Sequence, residues 1–322
     1  MLNRLAKGLK EDESVDDENE LSETALSTLE AIIRKCPVEV GDYIDELVSS
    51  AFQLCEYDPN YQYNEEEDGD EEMKDAEEEG WGDDDFSDGG DIHADDDDTS
   101  WKVRRAAVTI IDTIVKTRPA QVKPIIQRYS DKMISRIKER IDDVKIEVLN
   151  TMQSIIKSTM ELNENDIEKD LKAQTSVMRQ LSVGEDLKAK QPIVVKSLLK
   201  PMSSKNIKVK VAAIETLSAY ALLSQFNFDL CFDQVWPELK TTIDDDSHFE
   251  PVISALGVLR RMFRSKNLTE TRKGNFTEAT TDITAFLKKS IEHNYSKVVF
   301  EGLRVASSFL NALRSPSTGT VE

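Results

Sequence analysis

The sequence runs to 322 residues, with 62 acidic side chains against 41 basic ones and a formal net charge of -21. Twenty of the acids and only one cation, Lys74, fall between Glu65 and Asp98, so that stretch holds 19 of the excess negative charges and the rest is nearly neutral. No segment clusters the Lys and Arg from which a grip on nucleic-acid phosphate draws its energy, and the longest unbroken apolar run, Ala219 to Leu223, is far too short to span a membrane.

In chain order, residues 1–20 are expected to form a short helix remnant, with Leu2, Leu5 and Leu9 on one face, followed by an acidic linker. Leu21 to Lys35 places Ala25, Leu26, Leu29, Ile32 and Ile33 three and four apart, which predicts an amphipathic helix. Past Pro37 a second helix is predicted over Val38 to Cys55, so 21–57 reads as one helical repeat. Residues 58–100 form an acidic insert, expected to be disordered because self-repulsion holds it open in water. From 101 to 314 further repeats follow, with first helices opening near Trp101, Val144, Ile207, Pro251 and Tyr295. Second helices are predicted over Ala120–Lys138, Pro192–Met202, Asp229–Thr242 and Thr277–Ile291. Pro37, Pro119 and Pro237 are expected near helix starts, where the lost N–H costs little. A polar insertion is placed near 161–190 and a flexible tail at 315–322.

The repeats are internal copies. Trp101-Lys102-Val103-Arg104-Arg105-Ala106-Ala107-Val108 is echoed by Ile207-Lys208-Val209-Lys210-Val211-Ala212-Ala213-Ile214, and more faintly at Val144-Lys145-Ile146 and Lys297-Val298. Starts at Trp101, Val144, Ile207, Glu250 and Tyr295 are spaced by 43, 63, 43 and 45 residues, and a helix pair every 40 to 47 residues is the HEAT or armadillo period. The 63-residue gap is what the insertion accounts for. No alternating strand signal and no Gly-rich phosphate loop is seen. The fold class is therefore all-α, a HEAT/armadillo-type α-solenoid of about five to six helix pairs with a long acidic insert. The apolar patterns at both ends carry no polar cap, so self-association or instability of the isolated chain is an expectation.

Several motifs carry a family likeness. The order Arg34-Lys35-Cys36-Pro37-x-Glu39-Val40, Tyr57-Asp58-Pro59-Asn60-Tyr61-x-Tyr63, an acidic tract, then Ser100 to Ala107 resembles the cullin-associated and neddylation-dissociated family, also described as TATA-binding-protein-interacting. Ile134-Ser135-Arg136-x-Lys138-Glu139-Arg140, Asp143-Val144-Lys145 and Ser296-Lys297-Val298 extend the likeness over about Leu21 to Arg314. The resemblance implies a long curved solenoid that wraps an unneddylated cullin and its RING subunit. It also implies that substrate adaptors are exchanged in SCF-type assembly. Family members are several times longer, and the likeness falls on an interior part of their N-terminal half. Scaffold binding is thus the expected contribution, and the remainder of the solenoid, as a separate chain, is a further candidate partner.

Candidate interaction residues fall in two groups. In the acidic tract, Trp81 and Phe86 are the aromatic apolar anchors, and Asp95, Asp96, Asp97 and Asp98 end it beside the next helix. The tract reads either as a solvated loop or as a polyanion that attracts a basic partner such as a cullin surface, a histone or a basic transcription factor. It fails as a calcium loop: counting from Asp83, the sixth position is Asp88 rather than Gly and the twelfth is Ala94. The second group is a basic ladder, Lys102, Arg104 and Arg105 with Lys145, Lys208 and Lys210, which either pairs with acids of the adjoining repeat or forms a partner-facing ridge. Ser100 is a candidate helix cap, and Trp101 reads as core packing.

No catalytic, metal or cofactor set emerges. Cys36, Cys55 and Cys231 form no CxxC and read as small core residues, and His93, His248 and His293 lie far apart, so zinc spacing is absent. The start lacks a secretory signal pattern, and a cytoplasmic and/or nuclear protein without cofactor, nucleic acid or membrane is expected. The alternative function is an importin-like or chaperone-like module that binds basic cargo through its acidic loop. An enzyme is disfavoured, because general acid–base chemistry needs a carboxylate held in a pocket, not a charge run in water.

Overall fold

Helical periodicity in the sequence becomes eleven helices among the described residues of a computed structural model, which describes 15–58, 99–173, 186–187, 189–223, 232–245, 247–264 and 270–313. They are α1 (Val15–Lys35), α2 (Ile44–Leu54), α3 (Ser100–Thr117), α4 (Val122–Ser135), α5 (Asp142–Ala173) and α6 (Gln191–Met202). Then come α7 (Ile207–Tyr220), α8 (Phe232–Asp244), α9 (Phe249–Arg264), α10 (Glu270–Ile291) and α11 (Ser296–Leu313). Short 3-10 turns at Gly41–Tyr43, Pro119–Gln121 and Arg136–Lys138 tighten the entries to α2 and α4 and the exit from α4. No strand occurs among the described residues.

Two layers result. Helices α1, α3, α5, α7, α9 and α11 pack each against the next, and α2, α4, α6 and α8 do the same beside them. Helices α1 and α2, and likewise α3 and α4, are joined by short turns, and the two packed layers make the array a solenoid of helix pairs, as the repeat period requires. The predicted faces are largely the buried ones, although Ile32, placed on the same face of the first helix, is exposed. Leu26 and Ile33 of α1, Val103, Ala107, Ile110 and Ile114 of α3, Leu149 and Met152 of α5, and Val252, Ala255 and Leu259 of α9 are all buried in one continuous core. Each buried Leu or Ile contributes about 1.5–3 kcal/mol relative to exposure. Phe52 stacks on Tyr129 across the second layer, ring centroids 4.2 Å apart and nearly parallel.

Four expectations need correction. Helix α1 starts at Val15, so the end of the supposed acidic linker is helical; acids in a first turn suit the helix dipole. Helix α5 runs on to Ala173, so 161–173 continues a helix rather than interrupting one, and Leu187 is already back in the core, its carbonyl oxygen accepting from the Tyr220 hydroxyl. Pro237 lies inside α8 rather than at its start, because Phe232 and Val235 ahead of it are already packed. Cys36 is exposed, since it follows the last turn of α1; Cys55 is buried as expected, and Cys231 lies outside the described residues. At the other end, α11 leaves Phe300, Leu303 and Leu310 exposed.

Candidate partner-binding surface

The residues that flank the acidic stretch meet at an ionic junction. Arg104, on the second turn of α3, is 1% exposed, because its position shares the helical phase of Ala107, Val108 and Ile111. Its Nη1 donates to the carbonyl oxygen of Tyr57 at 3.0 Å and to Ser100 Oγ at 2.8 Å. Its Nε lies 3.3 Å from Glu139 Oε2, and Asp58 Oδ2 is 3.7 Å from Nη1. Glu139 also takes Arg136 Nη2, and its Oε1 accepts the backbone N–H groups of Arg140 at 3.0 Å and Ile141 at 3.2 Å. Arg140 in turn reaches Asp58 at 3.1 Å. One carboxylate therefore pairs with two guanidinium groups and accepts from the turn between α4 and α5, which is how buried charges are kept compatible with a core.

Both ends of residues 59–98 are fixed at this junction. The stretch leaves beside Tyr57 and Asp58, held by Arg104 and Arg140, and rejoins at Thr99, whose Oγ1 accepts from buried Asn19 Nδ2 at 3.0 Å. Ser100 is not the cap of α3: it is the helix's first residue, and its hydroxyl accepts from Arg104 instead. Trp81, Phe86, Asp95, Asp96, Asp97 and Asp98 lie outside the described residues.

The basic ladder does not stay together. Arg104 is enclosed in the junction and is not on the surface. Arg105 pairs with Glu23 of α1 at 3.3 Å and lies over the Trp101 ring at 5.2 Å, with Trp101 itself packed against the core. Lys145 pairs with Asp142 at 3.2 Å. Lys102 is half-buried on α3, and Lys208 and Lys210 open α7, where Asn206 Oδ1 caps the helix by accepting from the Lys208 N–H at 3.0 Å. The copies share sequence phase, but neighbouring acids differ from repeat to repeat.

A different basic surface is present that the ladder did not signal. An open groove of about 1120 Å³ runs between the α4–α5 turn and α6, lined among others by Lys138, Arg140, Lys145, Lys196 and Lys200. Lys196 and Lys200 are one helical turn apart on the exposed face of α6, with exposed Ile193 on the preceding turn. The carboxylates near this groove pair with some of its cations or turn away from it, and none among the described residues pairs with Lys196 or Lys200. Glu139 turns inward to Arg104, Asp142 takes Lys145 and Asn206 Nδ2, and Glu238 accepts from Ser203 at 2.5 Å. The only sequence hint was the i, i+4 spacing of Lys196 and Lys200.

On the opposite layer a polar groove between α3 and α5 holds Asp112 and Glu147. Burial, reinforced by the nearby Asp112 carboxylate, holds the Glu147 carboxyl above its ordinary value. No cluster of three or more His, Cys, Asp or Glu able to hold a metal ion occurs among the described residues, and no helix there is long and apolar enough to cross a membrane.

With this geometry in hand, the relatives place the chain. A protein of Arabidopsis thaliana named cullin-associated NEDD8-dissociated protein 1 is 25% identical over 304 residues, covering 94% of this chain and 23% of its own length. The protein of the same name from Drosophila melanogaster is 32% identical over 196 residues, 60% of this chain and 15% of that one. The chain is a relative of the cullin-associated NEDD8-dissociated proteins. It spans less than a quarter of the length of these curated relatives. No family model matches. Among solved structures, a designed armadillo repeat protein in complex with peptide (KR)4 superposes with a TM-score of 0.55 at 14% identity, covering 96% of this chain and 97% of that one. That likeness shows the fold, an all-α solenoid of the armadillo and HEAT type.

Proposed function

We propose that this chain is a scaffold section that binds unneddylated cullin-RING ligase cores and contributes to the exchange of their substrate adaptors. The observation that supports the reading is continuous sequence similarity along 94% of the chain to a protein whose name states cullin association. The solenoid suits the task, because stacked helix pairs expose an extended surface that can follow a long partner. On this reading the chain works by binding rather than by bond chemistry, in the cytoplasm and/or nucleus, with the RING subunit as part of the same bound core. The importin-like alternative is not favoured by the relatives.

The test is a pull-down with purified unmodified cullin-RING core, using both this chain and the chain joined to the remaining repeats of a longer relative. Capture by either is the expected result, with weaker capture of the neddylated core. No capture by either ends the reading. Loss of capture on deletion of Glu65 to Asp98, with steep loss as salt rises, transfers the site to the polyanion and revives basic-cargo binding.

A further inference from the structure

We infer that the basic groove between the α4–α5 turn and α6 is the docking site of the chain's own acidic tract, Glu65 to Asp98. The argument starts from charge. Lys196 and Lys200 stand on the exposed face of α6 with no ion-pair partner among the described residues, while Lys138, Arg140 and Lys145 line the facing wall. Arg140 and Lys145 are met by Asp58 and Asp142, and Glu139 turns inward to Arg104, so the uncompensated positive charge of the groove sits on Lys196 and Lys200. The chain's own tract carries twenty acids and one lysine, the complementary charge in a single stretch.

Tethering decides between this occupant and a foreign one. Asp58, the residue before the tract's flank, is held at 3.1 Å by Arg140, which itself lines the groove. Glu65 lies seven positions after Asp58, and an extended chain covers about 3.3–3.6 Å per residue, so the first acids can lie up to roughly 25 Å from the wall that Arg140 lines. A segment tethered at that range acts at an effective concentration on the order of millimolar, which an untethered acidic peptide does not match in solution. Exposed Ile193 beside Pro192 gives the groove an apolar patch among its cations, suited to a segment that carries Trp81 and Phe86 among its acids.

The experiment uses the intact chain, a chain with Glu65–Asp98 replaced by a short Gly-Ser linker, and Lys196→Glu/Lys200→Glu in each background. Thermal melts confirm that these surface variants fold. Carbodiimide treatment, which joins a lysine to a carboxylate in direct contact, is read by mass spectrometry on the monomer fraction, and a fluorescent hexadecaglutamate peptide serves as the untethered probe. The expected result is crosslinks from Lys196 and Lys200 into 65–98 that fade at high salt. The peptide should bind the deletion chain about tenfold or more tighter than the intact chain, and the double charge reversal should abolish that binding. Equal peptide affinity for intact and deletion chains, no peptide binding to either, or binding indifferent to the reversal each overturns the proposal. Crosslinks confined to dimers overturn it in favour of a second copy as donor of the acids.

Discussion

Arg104 and Glu139, 35 residues apart in sequence, meet as a buried ion pair at the junction where residues 59–98 leave and rejoin the helical array. Arg104→Ala strands the Glu139 carboxylate with fewer donors and frees the Tyr57 carbonyl and the Ser100 hydroxyl. A loss of about 3–5 kcal/mol is expected, the cost of breaking a buried pair from one side. Urea denaturation measures it. The double variant Arg104→Met/Glu139→Gln should lose less than the sum of the single changes, by about 0.5–3 kcal/mol, if the two side chains act on each other.

Replacing Glu65–Asp98 by a short linker should cost only about 1–2 kcal/mol of folding stability, the share that a tenfold docking equilibrium of the tract represents. Loop-closure entropy grows only slowly with length, and both ends are already held at one place. The denaturation midpoint and slope check this. A large loss would mean that the tract contributes to the packed array itself.

Two helix glycines give opposite expectations. A Cβ at Gly302 of α11 would lie 2.8 Å from Ser290 Cβ of α10, so Gly302→Ala overpacks that interface and should cost about 1–3 kcal/mol. A Cβ at Gly257 of α9 meets nothing within 4 Å, so Gly257→Ala should stabilise by about 0.5–1 kcal/mol through helix propensity. Melting temperatures of the two variants should move in opposite directions.

The cysteines should separate by reactivity. Cys36 is exposed, whereas burial pushes the Cys55 thiol up to about 12, with nearby Arg136 only partly offsetting it. At pH 8 the thiolate fraction of Cys55 is negligible, so iodoacetamide should label Cys36 and spare Cys55 in the native chain. Peptide mass spectrometry before and after urea reads the difference.

Glu147 sets a pH dependence whose sign is fixed. Its carboxyl is raised above 4.5 first by burial and then by Asp112, so just above that pH the native chain keeps a proton the unfolded chain has released. Stability contributed by this group is present at low pH and declines as pH rises through the window above 4.5. Glu147→Gln should therefore raise the melting temperature modestly at pH 7 and lose that advantage below pH 4.5, as scanning calorimetry at both ends of the range would show.

The helical layers were legible because their apolar residues recur three and four apart. Val103, Ala107, Ile110 and Ile114 identify α3 and its buried face without further help. The roles of the cations were not legible. In the run Lys102-Val103-Arg104-Arg105 three similar charges stand side by side, yet one is enclosed, one bridges to Glu23 and stacks on Trp101, and one is half-buried on the surface. Helical phase alone could have singled out Arg104, which lies three, four and seven residues before Ala107, Val108 and Ile111. The groove was beyond reach, because Lys138 and Lys200 are brought together by the stacking of α4 and α6, a contact set by tertiary packing and not by local spacing. The extension of α5 to Ala173 was hidden for the opposite reason: a polar helix has no apolar stripe to announce it.

The closed base of residues 59–98 separates the architecture of the array from the chemistry of its appendage. Because departure and return share one ionic knot, the acidic segment can grow, shrink or change its charge density while the pitch between α1 and α3 stays as it is. Mutational drift can thus tune that segment without asking the neighbouring helices to readjust.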